Sequence, residues 1–271
     1  MHAAVITHLR CPVCHDPLSP GDRAFRCPRG HSFDLAKQGY VDLTAGRTVH
    51  TGDSAEMVAA RAALLAAGHF DVIADAVRSC VATAGFVVEV GAGTAHYLAR
   101  ALALEATGLA VDVSKPALRR AARADPRVGA VRADVWQGLP VADGSADAVL
   151  DVFAPRSGAE FARILRPSGR LVVVTPTPDH LAELVAALGL IGVDPEKPAR
   201  LAGGLERWFT QESAHVLTAP LRLPRSDAAA LAGMGPSAWH VDAAAVRARL
   251  AGLAEPIKAT LAVELSVWRR R

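Results

Sequence analysis

The chain has little cysteine, little charge and no long hydrophobic run. It holds four cysteines in 271 residues, and three of them fall in one short pattern, so Cys80 alone is left over and no disulfide framework is expected. Charged residues make up 21% and the formal net charge is +3, which is compatible with a nucleic-acid partner but does not identify one. No apolar run reaches the roughly 18 residues of a membrane span, and Met1 to Arg10 lack the apolar region of a signal peptide. We therefore expect a cytoplasmic protein with no membrane partner.

The three patterned cysteines lie near the amino terminus together with a histidine. Cys11 and Cys14 are separated by two residues, and Cys27 and His31 by three, with twelve residues between the two pairs. Three thiolates and one imidazole at this spacing suit one tetrahedral zinc ion with no open coordination position. The alternative is three unrelated cysteines and a surface histidine, but a proline directly follows both Cys11 and Cys27. The pattern therefore favours a structural zinc site.

We expect three parts along the chain. Residues 1–45 form a zinc-binding module, whose small apolar patch of Phe33, Leu35, Tyr40 and Val41 is too limited to fold without the metal. Residues 46–80 form a helical connector, because Ser54 is a typical N-cap and apolar residues then recur at helical spacing. Residues 81–271 alternate between strand and helix, for example a helix over 94–104 and a strand at about 128–132. This alternation predicts an α/β, doubly wound, Rossmann-like domain whose last two strands pair antiparallel.

A glycine turn follows the first strand of that domain. Strand Phe86–Val90 leads into Gly91 and Gly93, and the third glycine of a dinucleotide fingerprint is absent because that position holds His96. The turn therefore indicates a nucleotide-type cofactor other than a dinucleotide.

Carboxylates occupy three successive strand ends around this turn. Asp112 ends the second strand, where it can accept both hydroxyls of a ribose, and Asp134 follows the third, where it can reach an adenine amino group. Glu89 ends the first strand, where it can serve the amino group of a methionine moiety. Three negative charges would repel a pyrophosphate. Together they predict binding of S-adenosylmethionine.

The chain as a whole resembles the bacterial large-subunit (23S) ribosomal RNA guanine-N1 methyltransferases, and most closely the actinobacterial tylosin-resistance type. The resemblance runs from about Arg10 to the last strand. Its markers besides the zinc pattern are the segments at 31–41, 53–61, 68–70, 112–116, 152–156 and 234–240.

This resemblance implies roles that spacing does not give. The zinc ligands would be Cys11, Cys14, Cys27 and His31. The cofactor would contact Phe70, Gly93, Thr94 and His180. Many relatives carry tyrosine at the Phe70 position, so the stacking face is kept here and the hydroxyl is lost.

The implied reaction is methyl transfer from S-adenosylmethionine to nitrogen 1 of a guanine in a 23S rRNA hairpin. That nitrogen carries a proton and lies on the Watson–Crick edge, so the base must be unpaired or flipped out and the proton must leave. The catalytic base is not identified: Asp151 lies at a suitable strand end but could equally cap the turn. Phe153 and Pro155 would line the pocket that holds the guanine. Candidates for RNA contact are Lys37, Arg61, Arg156, Trp239 and His240.

Two other functions remain open at this stage. A small-molecule methyltransferase of natural-product metabolism would use the same fold, with an apolar lid in place of the zinc module. A non-catalytic RNA-binding protein would have a degraded cofactor turn. The sequence also leaves open whether the protein is a homodimer, which nucleotide it modifies, and whether its role is housekeeping or macrolide resistance.

Overall fold

The structure, a computed structural model, describes residues 1–44, 46, 50–194, 203–234 and 243–271. Its strands are β1 (Ser19–Pro20), β2 (Ala24–Arg26), β3 (Ser32–Asp34), β4 (Val41–Asp42), β5 (Phe86–Val90), β6 (Thr107–Asp112), β7 (Val128–Arg132), β8 (Ala146–Val152), β9 (Leu165–Pro176), β10 (Phe209–Leu223) and β11 (Ile257–Arg270). Its helices are α1 (Ala3–Ile6), α2 (Ala55–Ala66), α3 (Asp71–Cys80), α4 (His96–Ala101), α5 (Lys115–Ala121), α6 (Gly158–Ile164), α7 (Ala182–Leu188), α8 (Arg225–Met234) and α9 (Ala243–Ala251).

An eight-stranded sheet with the order β10-β11-β9-β8-β5-β6-β7-β4 forms the centre of the molecule. Strands β9, β8, β5, β6 and β7 are parallel, whereas β11 pairs antiparallel with β9 and β10 pairs antiparallel with β11. The predicted doubly wound fold and its antiparallel closing pair are thereby confirmed, although helices α8 and α9 separate the two closing strands. Because the carboxyl ends of the parallel strands share one edge, the loops after β5, β6, β8 and β9 meet there. We call this the carboxyl edge.

The zinc-binding segment is joined to the sheet rather than standing apart from it. Strand β4 adds to the edge of the sheet, with Val41 paired in parallel with Val131. The sequence analysis placed Val41 and Tyr40 in a patch belonging to the module, but Val41 is fully buried in the main sheet and Tyr40 packs in the core on the opposite face. The few apolar side chains of this short segment are thus buried by sharing the core of the large domain.

The two faces of the sheet are covered differently. Helices α2–α5 and α7–α9 contribute to the apolar core on one face, whereas α1, the zinc-binding segment and α6 cover the other. Between β7 and β8 the chain forms only a short 3-10 turn, Val135–Gln137. Helix α1 packs on the adjacent strands, so closely that a Cβ atom added to Gly129 would lie 2.8 Å from Val5 Cγ1.

Local signals explain most helix limits. Ser54 caps α2 as predicted, and its side chain accepts a hydrogen bond from the Met57 N–H at 3.3 Å. Helix α4 is shorter than the predicted helix from residue 94 to 104, because Ala95 is left-handed and Leu102 is extended. Helices α1 and α9 were not predicted: the first has four residues, and the second is rich in alanine and arginine without a clear apolar period.

Within the described residues, no single helix is long and apolar enough to cross a membrane. Helices α2 and α3 reach that length and composition only when taken together, and they are bent by 81° at the break between them.

Candidate active site and metal centre

The four residues of the cysteine–histidine pattern converge in the structure. One ligand atom each from Cys11, Cys14, Cys27 and His31 lies within 4.8 Å of the other three. The Cys14 and Cys27 sulfurs are 3.6 Å apart, and the Cys27 sulfur lies 3.3 Å from His31 Nδ1. Tetrahedral zinc with bonds of about 2.3 Å to sulfur separates its ligand atoms by roughly 3.8 Å. The donor set and its spacing therefore fit one four-coordinate zinc ion.

The chain turns around this cluster in two tight loops. Gly30, with φ of 87°, donates its N–H to the Cys27 carbonyl at 3.0 Å, and this closes the loop between Cys27 and His31. Arg29 and Asp16, one from each loop, form an ion pair at 2.9 Å. These contacts hold the two halves of the ligand set together.

The metal cluster is anchored to the large domain through its neighbours in sequence. Arg10 donates its N–H to the Pro140 carbonyl, and Ala142 donates to the His8 carbonyl, at 2.9 and 2.8 Å. The His8 ring stacks on Phe86 of β5 with 4.0 Å between ring centroids. Burial lowers the pKa of His8, which keeps the stacked ring neutral.

The glycine turn after β5 adopts left-handed backbone conformations that favour glycine. Gly91 has φ of 65° and Gly93 has φ of 55°. A Cβ atom on Gly91 would also lie 2.6 Å from Ala154 Cβ in the loop after β8. Any larger residue at position 91 would push that loop away, so the turn and the loop after β8 form one packed unit at the carboxyl edge.

Asp112 links this turn to the loop after β6. Its two carboxylate oxygens accept hydrogen bonds from the Gly93 N–H at 2.8 Å and the Ser114 N–H at 2.7 Å. Burial raises the pKa of Asp112, and these two hydrogen bonds oppose the rise. The predicted ribose ligand thus also fixes the backbone of the turn.

Glu89 lies deeper, beneath the first turn of α4. It is 2% exposed and accepts a hydrogen bond from the Leu98 N–H at 3.2 Å. Burial, with a smaller effect of the nearby Asp112 and Asp151 carboxylates, raises the pKa of Glu89 to about 8, although the Leu98 hydrogen bond opposes the rise. At neutral pH this carboxyl group is therefore mostly protonated, and a cation arriving beside it would favour its ionisation.

Asp134 is at the same edge, but both of its oxygens are already engaged. One accepts a hydrogen bond from the Trp136 N–H at 3.0 Å, and the other accepts from His50 Nδ1 at 2.7 Å. The Asp134 side chain is only 2% exposed. The connector therefore covers the carboxylate that the sequence assigns to an adenine amino group, and an adenine could reach it only if His50 moved.

The connector is held across the loop after β6 by further contacts. A Cβ atom on Gly52 would lie 2.6 Å from Ser114 Cβ, so only glycine fits there. The Ser114 hydroxyl donates to the Asp53 carbonyl at 2.7 Å. Residues 50–54 thus form one wall of the site, which the sequence did not indicate.

Arg61 of α2 is positioned beside the glycine turn. It pairs with the Asp53 carboxylate at 2.8 Å and donates to the Met234 carbonyl at 3.0 Å. Its guanidinium lies 3.8 Å from where a Gly93 Cβ would be. Its buried Nε has no hydrogen-bond partner among the described residues. The sequence analysis named Arg61 as a candidate for RNA contact, and the structure places it beside the glycine turn.

Three aromatic rings meet next to this turn. The His180 ring centroid lies 6.3 Å from that of Phe70 and 5.9 Å from that of Phe153. Burial lowers the pKa of His180 to about 4, and its Nδ1 accepts the Ala262 N–H at 3.2 Å, so the proton of the neutral ring is on Nε2. Phe70 is 2% exposed, whereas Phe153 is 40% exposed and left-handed, with φ of 55°.

Asp151, at the end of β8, is fully buried and pairs with Arg156 Nε at 3.1 Å. Burial raises the pKa of Asp151 to about 7 although Arg156 lowers it. Because Arg156 and the protein interior enclose this carboxylate, its evident task is to hold the loop that carries Phe153. A direct role as the base toward a bound nucleotide would need that pair to open.

The predicted residues therefore gather at one edge with unequal access. The turn itself consists of Gly91, Gly93 and Thr94, and Asp112 and Glu89 lie next to it. Phe70 and His180 lie together beside it, and His50 covers Asp134. Lys37 is exposed in the turn between β3 and β4, and Trp239 and His240 lie outside the described residues.

The buried and unpartnered Arg61 Nε, the glycine turn and the acidic strand ends fit a zwitterionic nucleoside cofactor of the S-adenosylmethionine type. A cation beside the turn suits a carboxylate, and Glu89 and Asp112 suit an ammonium group and ribose hydroxyls.

Known family models match two segments of the chain. Residues 9–45 match the model described as "RlmA, N-terminal", a zinc ribbon, and residues 88–173 match a methyltransferase domain. The protein accordingly uses S-adenosylmethionine and zinc.

Solved structures support the fold. One chain of the complex between the Haloferax volcanii Trm112 methyltransferase activator and a methyltransferase superposes with a TM-score of 0.51 and 17% identity over 81% of this chain and 99% of that chain. A Bacillus halodurans protein provisionally described as a methyltransferase gives a TM-score of 0.52 and 14% identity, over 72% of this chain and 97% of that one. At such identities the likeness concerns the fold alone.

Full-length relatives are much closer. The chain is 46% identical over 277 residues to the 23S rRNA (guanine(748)-N(1))-methyltransferase of Streptomyces fradiae, covering 99% of both proteins. It is 50% identical over 293 residues, again 99% of both, to a Micromonospora griseorubida protein whose name provisionally assigns a 23S rRNA (guanine-N(1)-)-methyltransferase. A Bacillus subtilis protein with the same provisional assignment is 30% identical over 95% of both chains. On this evidence the chain belongs to the 23S rRNA (guanine-N(1)-)-methyltransferase family.

Proposed function

We propose that this protein transfers a methyl group from S-adenosylmethionine to nitrogen 1 of a guanine in a 23S rRNA hairpin. The observation that carries the proposal is the near full-length identity of 46% to an enzyme named for guanine 748, in a chain with an intact glycine turn and zinc cluster. The guanine equivalent to that position is the substrate we expect.

The carboxyl edge supplies the proposed cofactor contacts. Asp112 would accept the ribose hydroxyls and Asp134 the adenine amino group after His50 is displaced, while Gly91, Gly93 and Thr94 line the turn. Phe70 and His180 would pack against the cofactor from the other side, with the His180 Nε2–H as a donor. When bound, S-adenosylmethionine supplies an electrophilic methyl group on a sulfonium.

The two charged ends of the methionine moiety have complementary partners in the structure. Glu89 lies below the turn as an acceptor for the ammonium group, and Arg61 lies beside it as a donor for the carboxylate. The unpaired Arg61 Nε supports this role, because a buried donor without a partner costs about 1–3 kcal/mol and a carboxylate would satisfy it.

The exposed ring of Phe153 suits a flipped guanine. A splayed base needs a flat apolar surface, and Phe153 offers one at the carboxyl edge, held by the Asp151–Arg156 pair below it. Positioning the base there against the methyl donor would contribute much of the acceleration. The guanine proton would leave to solvent or to a group that the nucleotide itself brings into reach.

The zinc-binding segment is proposed to be structural, with Cys11, Cys14, Cys27 and His31 as its ligands. A full set of four protein ligands leaves no position for substrate. We further propose that this segment and the connector contact the RNA, that the enzyme acts in the cytoplasm where ribosomes are, and that it forms a homodimer, which light scattering of the purified protein would reveal.

The test is methylation of unmodified large-subunit RNA with labelled S-adenosylmethionine, followed by primer extension to map the stop. We expect a stop at one loop guanine, salt-sensitive transfer, and no transfer to free guanosine. Transfer to a macrolide or another small molecule, with RNA left unmodified, would instead support a natural-product methyltransferase. Raised macrolide resistance of a sensitive host expressing the active protein would establish the resistance role.

A further inference from the structure

A second cleft lies away from the proposed methyl-transfer site. It has a volume of about 430 Å³ and is lined by Ala159, Ala162, Arg163, Arg207, Trp208, Arg270 and Arg271. We call it the arginine cleft. In the register of the sheet, Arg269 of β11 lies opposite Arg170 of β9, which in turn lies opposite Ala148 of β8. The floor of the cleft is therefore near the amino ends of β9 and β8, opposite the carboxyl edge.

The cleft carries an excess of positive charge. Arg163 is neutralised by Glu160 and Asp143, at 2.7 and 2.6 Å. Arg207, Arg270 and Arg271, by contrast, have no carboxylate partner within the part of the chain that the structure describes. Arg270 and Arg271 instead donate to backbone carbonyls, at 3.1 and 3.2 Å, which orients them without neutralising them.

An aromatic ring stands at the rim of the cleft. Trp208 is 36% exposed, and the Arg207 guanidinium carbon lies 5.3 Å from its ring centroid. Part of the ring is therefore open to a partner at the rim of the cleft. An arginine stacked on a half-exposed tryptophan offers one flat surface with a positive charge on it, which suits a nucleobase and its phosphate.

The position of the cleft relates it to the two regions already proposed for RNA. Arg163 donates to the Val141 carbonyl at 2.8 Å, and Val141 forms a bridge with Leu9 beside the zinc cluster. Helix α6, which lines the cleft, begins at Gly158 directly after the loop that carries Phe153. The cleft floor is level with Ala148, four residues before the end of β8 at the carboxyl edge. At about 3.3 Å per residue, the two are separated by about 13 Å. A hairpin several base pairs long spans that distance.

We propose that the arginine cleft is an RNA-binding site that holds the phosphate backbone flanking the target loop and stacks one base on Trp208. The inference rests on the proposed function and deepens it, because it assigns substrate contact to a surface outside the zinc-binding segment and the connector. An acidic protein partner could also be attracted to the charges, but it would not need the exposed ring.

The test compares two doubly substituted full-length proteins that lose the same charge. Arg207→Gln with Arg271→Gln removes two cations from the cleft, and Arg119→Gln with Arg123→Gln removes two exposed cations at the end of helix α5 on the opposite face. Binding of a labelled 23S rRNA hairpin is measured by fluorescence anisotropy over a salt series. Calorimetry with S-adenosylmethionine and melting curves report on cofactor affinity and folding.

We expect the cleft variant to bind the hairpin about tenfold more weakly or worse, with a log–log salt slope reduced by roughly 1.4–1.8, because each lost phosphate contact contributes about 0.7–0.9. Its KM for RNA should rise while kcat at saturating RNA and cofactor affinity stay unchanged, and the control should match the wild type. Trp208→Ala should weaken binding about 5- to 100-fold, as expected for one stacked base, and Trp208→Phe should recover most of the loss.

Equal affinities and slopes for the cleft variant and the control would overturn the assignment, and so would an equal loss in both. Wild-type protein that binds the hairpin through the cleft without methylating it would contradict the proposed function but not the cleft. If the wild-type protein methylates the RNA but the cleft substitutions leave hairpin binding unchanged, the cleft assignment is contradicted and the proposed function is not.

Discussion

Loss of zinc should unfold much more than the zinc-binding segment. Val5, Leu9, Leu18, Phe25 and Val41 each keep at most 4% of their surface exposed, and they share a core with strands of the main sheet. Fully burying such a side chain stabilises a protein by about 1.5–3 kcal/mol. The five together contribute roughly 8–15 kcal/mol as an upper bound, which is comparable with the whole stability of a typical domain.

The perturbation is Cys27→Ser, and Cys80→Ser is the matched control because Cys80 is the cysteine outside the metal cluster. Losing even about 4 kcal/mol should lower Tm by roughly 8–16 °C in a chain of this size. Calorimetric melting with zinc quantified by elemental analysis gives the shift, and isothermal titration gives S-adenosylmethionine affinity.

We expect about one zinc per wild-type chain, a single transition shifted far downward for Cys27→Ser, and loss of cofactor affinity in that same transition. The control should retain zinc and melt close to the wild type. Two separate transitions, or a metal-free protein that keeps wild-type melting and cofactor binding, would refute the shared core.

The remaining predictions concern the carboxyl edge. Titration calorimetry tests the three on cofactor binding, and calorimetric melting over a pH series tests the one on stability. Asp112→Asn should weaken binding at least tenfold, because each hydrogen bond to the charged carboxylate contributes about 1.5–3 kcal/mol and the amide also disrupts the Gly93 and Ser114 contacts; unchanged affinity would mean that the ribose lies elsewhere. Cofactor binding should tighten as pH rises from 6 to 8, because Glu89, with its pKa raised to about 8, must release a proton to meet an ammonium group, and Glu89→Gln should flatten this dependence. The raised pKa of Glu89 also means that the cofactor-free protein loses stability as pH rises from about 4.5 to 8. In this range the unfolded chain has already released the Glu89 proton, whereas the folded protein still holds it. Arg61→Gln should weaken S-adenosylmethionine more than adenosine, and an equal loss for both would contradict contact with the methionine carboxylate.

Local patterns in the sequence predict much of this protein. The zinc ligands, the turn after β5 and the limits of strands Phe86–Val90 and Val128–Arg132 follow from short-range spacing and from apolar runs. Such features are set by residues within a few positions of each other, so one sequence suffices to find them.

Tertiary structure alone decided which distant segments meet. No pattern in residues 41–53 indicates that Val41 extends the main sheet or that His50 covers Asp134. The sequence offered Arg61 only as a candidate for RNA contact, and the fold placed it beside Gly93. The arginine cleft joins side chains more than one hundred residues apart, from α6 to the end of β11. The physical reason is that short-range periodicity fixes helices and strands, whereas the pairing of these elements depends on burying their apolar faces together, which no local stretch of sequence specifies.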